Sequence, residues 1–173
     1  MFSRRQFLVA GSGLGVAALA IAALPKLSAS SVLISEANAQ EVFEVSHSDS
    51  EWHRILSDEQ YEILREEGTE RPYSSELNNE HRDGTFVCAG CALPLFSSAS
   101  KFDSRTGWPS FWQPLDKAVA TRQDRSFGVL REEVHCRRCG GHLGHVFDDG
   151  PKPTGLRYCM NGLAMKFEPG TAS

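Results

Sequence analysis

Five cysteines carry most of the chemistry open to this chain, and their spacing divides them four and one. Cys88-x-x-Cys91 and Cys136-x-x-Cys139 are pairs of the kind that supply four thiolates to a tetrahedral metal site. Thiolate softness and tetrahedral geometry favour zinc, with iron second. A closed four-sulfur site has no open position for a substrate, so its role is structural. Cys159 stands outside both pairs, in Arg157-Tyr158-Cys159-Met160-Asn161. A free sulfur beside a cation is a candidate nucleophile, because nearby positive charge favours the thiolate. The competing reading is a buried, inert thiol, where most free cysteines end up.

The four paired cysteines have competing readings of their own. In an oxidising compartment they could form two disulfides. One pair could be a thioredoxin-like redox motif, but the βαβ context that motif needs is missing. With 44 residues between the pairs, the two knuckles are expected on separate loops that the metal clips together. Gly90 and Gly140, near the second cysteine of each pair, let backbone N–H groups turn towards the sulfurs.

The elements that must hold these groups read as mainly β with some helix (α+β). Trp52 to Glu67 is expected to be helical around a capped start. Ser57 with Gln60 makes a capping box, and Gly68 ends the helix. Gln40 to Ser50 is a polar lead-in over the surface. After Pro72, short strands are expected at 85–87, 118–121, 127–134, 145–147, 157–159 and 163–167, punctuated by Gly, Pro, Asp and Asn. The result is a small antiparallel β domain with short N-terminal helical cover, its modest core stapled by the four-cysteine zinc site.

Residues 1–39 read as an address, not as folded domain. Arg4-Arg5 precede an uncharged apolar run from Phe7 to Leu24, and Ala37-Asn38-Ala39 offers the small-x-small pattern of a signal peptidase. This resembles a twin-arginine export signal. It predicts cleavage before Gln40 and a periplasmic product of 40–173 that meets the membrane only during export. An uncleaved anchor is the alternative; at 18 residues the run sits at the bottom of the spanning range. Without 1–39 the chain has 15 basic against 21 acidic residues, a net charge of −6. That argues against a nucleic-acid surface, which needs a basic face. The remaining 134 residues suffice for one domain and are too few for two, and a monomer is expected.

Three further segments cluster in the second half: Lys101 to Phe111, His142 to Gly150 and Thr154 to Asn161. With the first knuckle they form four specific strings: Cys-x-Gly-Cys-x-x-Pro-Leu-Phe at 88–96, Gly-Trp-Pro-Ser-Phe at 107–111, His-Leu-Gly-His-Val-Phe at 142–147, and Gly-Leu-Arg-Tyr-Cys-x-Asn at 155–161. From about Glu51 to Glu168 the chain resembles a methionine-R-sulfoxide reductase of the B type. The resemblance implies two antiparallel sheets, a four-cysteine zinc site and Cys159 as nucleophile. It implies that His142 and His145 flank a sulfoxide and hold or deliver the proton, with Asp149 as a neighbour. Arg157 is expected to favour the thiolate and Asn161 to hydrogen-bond in the same pocket. Trp108 is expected to face the sulfur-bound methyl group, with Phe111 or Phe147 completing an apolar wall. The partners implied are oxidised proteins or peptides and a thiol reductant.

The chain departs from the family in one place that matters. Many members carry a resolving cysteine two residues before the tryptophan; here that residue is Thr106. A sulfenic acid on Cys159 then has no spare cysteine to meet unless one of the four paired cysteines is sacrificed, and an external thiol donor is expected to reduce it. A zinc-stapled binding module without catalysis is the reading from another class. The coexistence of Cys159, Trp108, His142, His145, Arg157 and Asn161 speaks for the enzyme. A zinc hydrolase is a distant third.

Overall fold

The computed structural model describes residues 42–170. The expected export segment and its cleavage point lie outside them. Among the described residues, no helix is long and apolar enough to cross a membrane.

Ser57 divides what the apolar pattern suggests is one helix. The helices are α1 (Asp49–Ile55) and α2 (Asp58–Glu66). The Ser57 side chain accepts from Gln60 N–H, and Gln60 Oε1 accepts from Ser57 N–H at 3.2 Å. A cap of this kind needs extended backbone, which Ser57 adopts, so a capping box inside an apolar pattern breaks it. α1 starts inside the polar lead-in, where Glu51 accepts from Ser48 N–H at 2.9 Å. At the far end Glu67, not Gly68, takes the left-handed conformation, with φ 58°. Trp52, Ile63 and Leu64 are the buried face of this cover.

Nine short strands follow: β1 (Gly84–Cys88), β2 (Pro94–Ser97), β3 (Lys101–Phe102), β4 (Ser110–Phe111), β5 (Val119–Asp124), β6 (Arg131–Cys136), β7 (His142–Phe147), β8 (Arg157–Met160) and β9 (Met165–Pro169). Strands β2, β3 and β4 went unread because runs of two to four residues are too short to show a period of two. The strand expected from Phe127 begins only at Arg131, after a 3₁₀ turn over Ser126–Gly128. All pairings are antiparallel. One sheet has the order β2-β1-β9 and the other β3-β4-β8-β7-β6-β5. This is the expected small two-sheet β domain with helical cover.

One row of the larger sheet does most of the positioning. Ser110, Cys159, His145, Glu133 and Arg122 are successive cross-strand partners on β4, β8, β7, β6 and β5. Directly opposed residues project from the same face. Their sequence neighbours Phe111 and Tyr158, also partners, project from the other face towards the smaller sheet. There the Phe111 ring stacks on Phe96 at 4.3 Å and meets Phe86 edge-on at 4.9 Å. The core therefore lies directly beneath the row. Strands β7 and β8 can close up at Gly144 because a Cβ there would run into the backbone of Cys159 and Met160.

Candidate active site

Cys159 is half-buried at the edge of a small open cleft of about 130 Å³. The cleft is lined by Thr69, Trp108, Arg131, Gly144, His145, Phe147, Cys159 and Asn161. That volume falls well short of a pocket for a whole drug-sized ligand and suits the end of one unbranched side chain. Trp108 and Phe147 supply its aromatic surface. The indole is held by its Nε1–H, which donates to Glu70 O at 3.1 Å.

His145 lies across the strand pair from Cys159. Its Nε2 is 2.8 Å from Asp124 Oδ2. Hydrogen bonds from Ser126, then the one from His145, hold the Asp124 carboxyl well below the usual carboxylate range. An ionised Asp124 can only accept, so Nε2–H donates to it and Nδ1 is left as the atom that gains or loses a proton. Burial lowers the pKa of His145, with Asp124 opposing. His142 sits one layer back. It lines not the Cys159 cleft but the adjoining polar cavity, which His145, Arg131, Asp124 and Glu133 share. The two imidazoles meet edge-on at 5.4 Å. His142 Nδ1 is 2.8 Å from Glu133 Oε1, and its buried Nε2 has no partner among the described residues. Burial pushes the Glu133 carboxyl up, but His142 and Arg122 outweigh it and hold it ionised.

The remaining expected residues fall in different places. Asn161 is buried at the cleft floor, its Oδ1 accepting from Glu70 N–H at 3.1 Å and its Nδ2 donating to Leu143 O at 3.2 Å. Arg157 does not line the cleft. Its guanidinium is committed to Asp149 by two 2.8 Å hydrogen bonds and lies 4.4 Å over the Phe147 ring. The hydrogen bond to Asp149 raises its pKa, and the charge of Cys159 adds to that. Asp149 is 60% exposed and serves Arg157, outside the cleft. Phe111, fully buried, is core beneath the row; one residue along a strand reverses the face.

Four contributors were not singled out from the residues alone. Arg131, on β6, lines the cleft and ion-pairs with Asp124 at 2.6 Å. Asp124 and Glu133 orient the two histidines. Glu70 clamps four groups at once: besides Trp108 and Asn161, its carboxylate accepts from Gly162 N–H at 2.6 Å and Leu163 N–H at 3.0 Å. Burial holds its pKa above the usual carboxylate range in spite of those two bonds. The one available signal was a charged residue, Glu133, in a strand whose neighbour Val134 is apolar and buried. Glu70 gave none, since it lies in a loop with no period.

The other four cysteines meet elsewhere. Cys88 and Cys91 flank the β1–β2 hairpin turn, and Cys136 and Cys139 the β6–β7 turn, so each sheet contributes one knuckle. Ala92 N–H donates to Cys88 O, and Gly140 N–H to Cys136 O, both at 2.8 Å. The residue with positive φ is Ala92 in the first turn and Gly140 in the second; Gly90 does not take that part. The four sulfurs lie within 4.8 Å of one another. Cys88 and Cys139 are 3.7 Å apart, and Cys91 and Cys136 3.5 Å. A tetrahedron of sulfurs about 2.3 Å from a central ion has edges of about 3.8 Å, while a disulfide would need about 2.05 Å. The donors fit a metal ion. Hydrogen bonds among the thiols push Cys88 and Cys139 up and Cys91 down, and only a bound cation lets all four ionise together.

Comparison with known proteins adds to this geometry. A family model described as "SelR domain" matches residues 56–169. A peptide methionine sulfoxide reductase MsrB of Bradyrhizobium diazoefficiens is 56% identical over 126 residues, 72% of this chain and 91% of its own. One of Leptospira interrogans is 51% identical over 127 residues, 73% and 97% of the two chains. One of Thiobacillus denitrificans is 54% identical over 122 residues, 70% and 92%. The chain therefore belongs to the SelR-domain family, that of the MsrB peptide methionine sulfoxide reductases.

Proposed function

We propose that the cleft takes the oxidised end of a methionine side chain and that Cys159 carries out its reduction. The enzyme is a peptide-methionine (R)-S-oxide reductase. The observation that carries the residue assignment is the placing of one sulfur opposite His145 in a cleft walled by Trp108 and Phe147. The Cys159 thiolate attacks the sulfoxide sulfur, forming a bond between the two sulfurs, and the oxygen takes up a proton. The oxygen then passes to the Cys159 sulfur as the bonds from the methionine sulfur to oxygen and to Cys159 both break, which leaves a sulfenic acid on Cys159 and methionine with two more electrons on sulfur. His145 Nδ1 handles that proton, with Asp124 fixing the tautomer and His142 backing the pair. Trp108 offers its face to the methyl group. Exchanging oxygen and methyl would press the oxygen on that apolar face, which selects the R epimer.

The sulfenic acid is reduced by an external thiol or dithiol protein, which forms a disulfide and releases water. Thr106 supports this reading, because it stands where a resolving cysteine would be. Mass spectrometry of enzyme treated with substrate alone is expected to show the sulfenic acid. A disulfide from Cys159 to any of the other four would overturn it. Zinc in the four-cysteine site braces the two sheets and takes no part in the reaction; metal analysis of the purified protein tests it. A monomer acting in the periplasm after twin-arginine export completes the reading. Folding around metal before export suits that route. N-terminal sequencing of the exported form tests it, and a chain still starting at Met1 in the membrane fraction would sink it. The decisive assay is turnover of racemic methionine sulfoxide in a peptide with dithiothreitol. Only the R epimer should be consumed, and Cys159→Ser should abolish it.

A further inference from the structure

Thr106 is more than the absence of a resolving thiol. Its Oγ1 lies 3.7 Å from Cys159 Sγ, within hydrogen-bonding range for sulfur. Behind it runs a chain of hydroxyls. Ser104 Oγ is 2.8 Å from Thr106 Oγ1 and 2.7 Å from Ser110 Oγ, and Ser110 Oγ reaches Trp108 O at 3.2 Å. Ser110 is fully buried and is the β4 partner of Cys159 in the sheet. The turn that presents Thr106 is held at both ends. Arg105 N–H donates to Asp103 Oδ1 at 2.9 Å, Tyr73 Oη donates to Arg105 O at 2.8 Å, and Tyr73 N–H donates to Gly107 O at 2.7 Å.

Proton counting gives this chain two states. Each hydroxyl donates one hydrogen bond and can accept more. When Cys159 is a thiol, its S–H donates to Thr106, Thr106 to Ser104, Ser104 to Ser110, and Ser110 to Trp108 O. When Cys159 is a thiolate, Ser110 turns to Ser104, Ser104 to Thr106, and Thr106 to the sulfur. The only group that loses a partner is Trp108 O, at the long 3.2 Å contact. Reversal needs three hydroxyl rotations and no movement of the backbone.

We propose that Thr106, backed by Ser104 and Ser110, is a positioning residue that stabilises the Cys159 thiolate through a reversible hydroxyl relay. The proposal rests on the reading of Cys159 as nucleophile and adds the group that keeps it ionised and aimed. The charged and titratable groups around the sulfur are His145 from β7, Arg131 from β6, Arg157 from β8 with Asp149 from the loop after β7, and Glu70 below Asn161. None of them is altered by Thr106→Val, which keeps the shape and removes the hydroxyl.

The test is the pH profile of Cys159 alkylation by iodoacetamide, followed by peptide mapping on the full chain, with turnover measured in parallel. Thr106→Val is expected to move the midpoint up by about one pH unit, and to slow alkylation at neutral pH by roughly fivefold or more, as loss of a charge-assisted hydrogen bond does. Thr106→Ser should restore the native profile. Ser104→Ala, which breaks the second link, should give a smaller upward shift. An unchanged profile in Thr106→Val overturns the relay, as does a shift that Thr106→Ser fails to restore. The nucleophile reading fails separately, if Cys159→Ser still turns over sulfoxide.

Discussion

Four cysteines of this protein sit at the turns of two hairpins, and the fifth sits in the middle of a six-stranded sheet. The hairpin cysteines face one another across the boundary between the sheets, 3.5 and 3.7 Å apart within the closest pairs. Three of them are buried, and the four sulfurs are close enough together to hold a metal ion, with no place for a further ligand. Cys159 lies outside that cluster. It faces a cleft, with a histidine on one flank and a hydroxyl chain on the other. The same side chain is thus a brace in one setting and a reagent in the other. What separates them is access: a thiolate can react only where a substrate atom can approach it.

That contrast can be broken most severely from the metal side. Cys136→Ser should cost more than about 5 kcal/mol, because metal binding in such a site is largely folding energy. Denaturant unfolding should then show no cooperative transition, or the chain should fail to accumulate. Cys159→Ser, by contrast, should stay within about 0.5 kcal/mol of the native protein while losing all turnover. Equal effects of the two on stability would erase the distinction.

Next in size is the core beneath the reactive row. Phe111→Ala removes a ring packed on Phe96 and Phe86 and should cost about 3–5 kcal/mol in the same unfolding measurement. If Phe111 were instead a wall of the substrate site, the loss would appear in KM with stability almost intact.

A smaller effect is expected behind His145. Asp124→Asn keeps the shape but removes the charge that fixes the imidazole, and should lower kcat/KM about tenfold, or about 1.4 kcal/mol. The alkylation rate of Cys159 should change much less than turnover does, which separates proton handling from thiolate formation.

The smallest expected effect is in the pH dependence of stability. Burial lowers the pKa of His145 below its ordinary value of about 6.5, so folding favours the neutral ring. Its contribution is complete above that value and is lost as pH falls through the lower folded value. The loss is on the order of 1 kcal/mol or less. Urea midpoints between pH 7.5 and 5 should fall more steeply for the native protein than for His145→Gln. Parallel slopes would mean that the ring is not desolvated.

The two settings also differed in how far they could be read in advance. The knuckles announce themselves, since Cys-x-x-Cys places both ligands of a pair within one turn whatever the rest of the chain does. The strings around Trp108, His145 and Cys159 pointed to a family and, through it, to a two-sheet fold. Helix α2 was legible from its cap; the break before it was not given its weight. Arg157 is two residues from Cys159, and along a strand that spacing shares a face: its guanidinium is held by Asp149 and still interacts with Cys159, while a second cation, Arg131 from β6, lines the cleft.

By itself, then, the sequence picked out the four cysteines that come together, the fifth that stands apart from them and the class of fold, because each rests on residue types at short, fixed separations. Only the tertiary structure decided that Phe111 is core, that Glu70 clamps Trp108 and Asn161, that Asp124 and Glu133 hold the histidines, and that three hydroxyls line up behind Cys159. Those contacts join residues on different strands and loops. Cross-strand register sets which of them meet, and register comes from the packing of the whole sheet and not from any local run of residues.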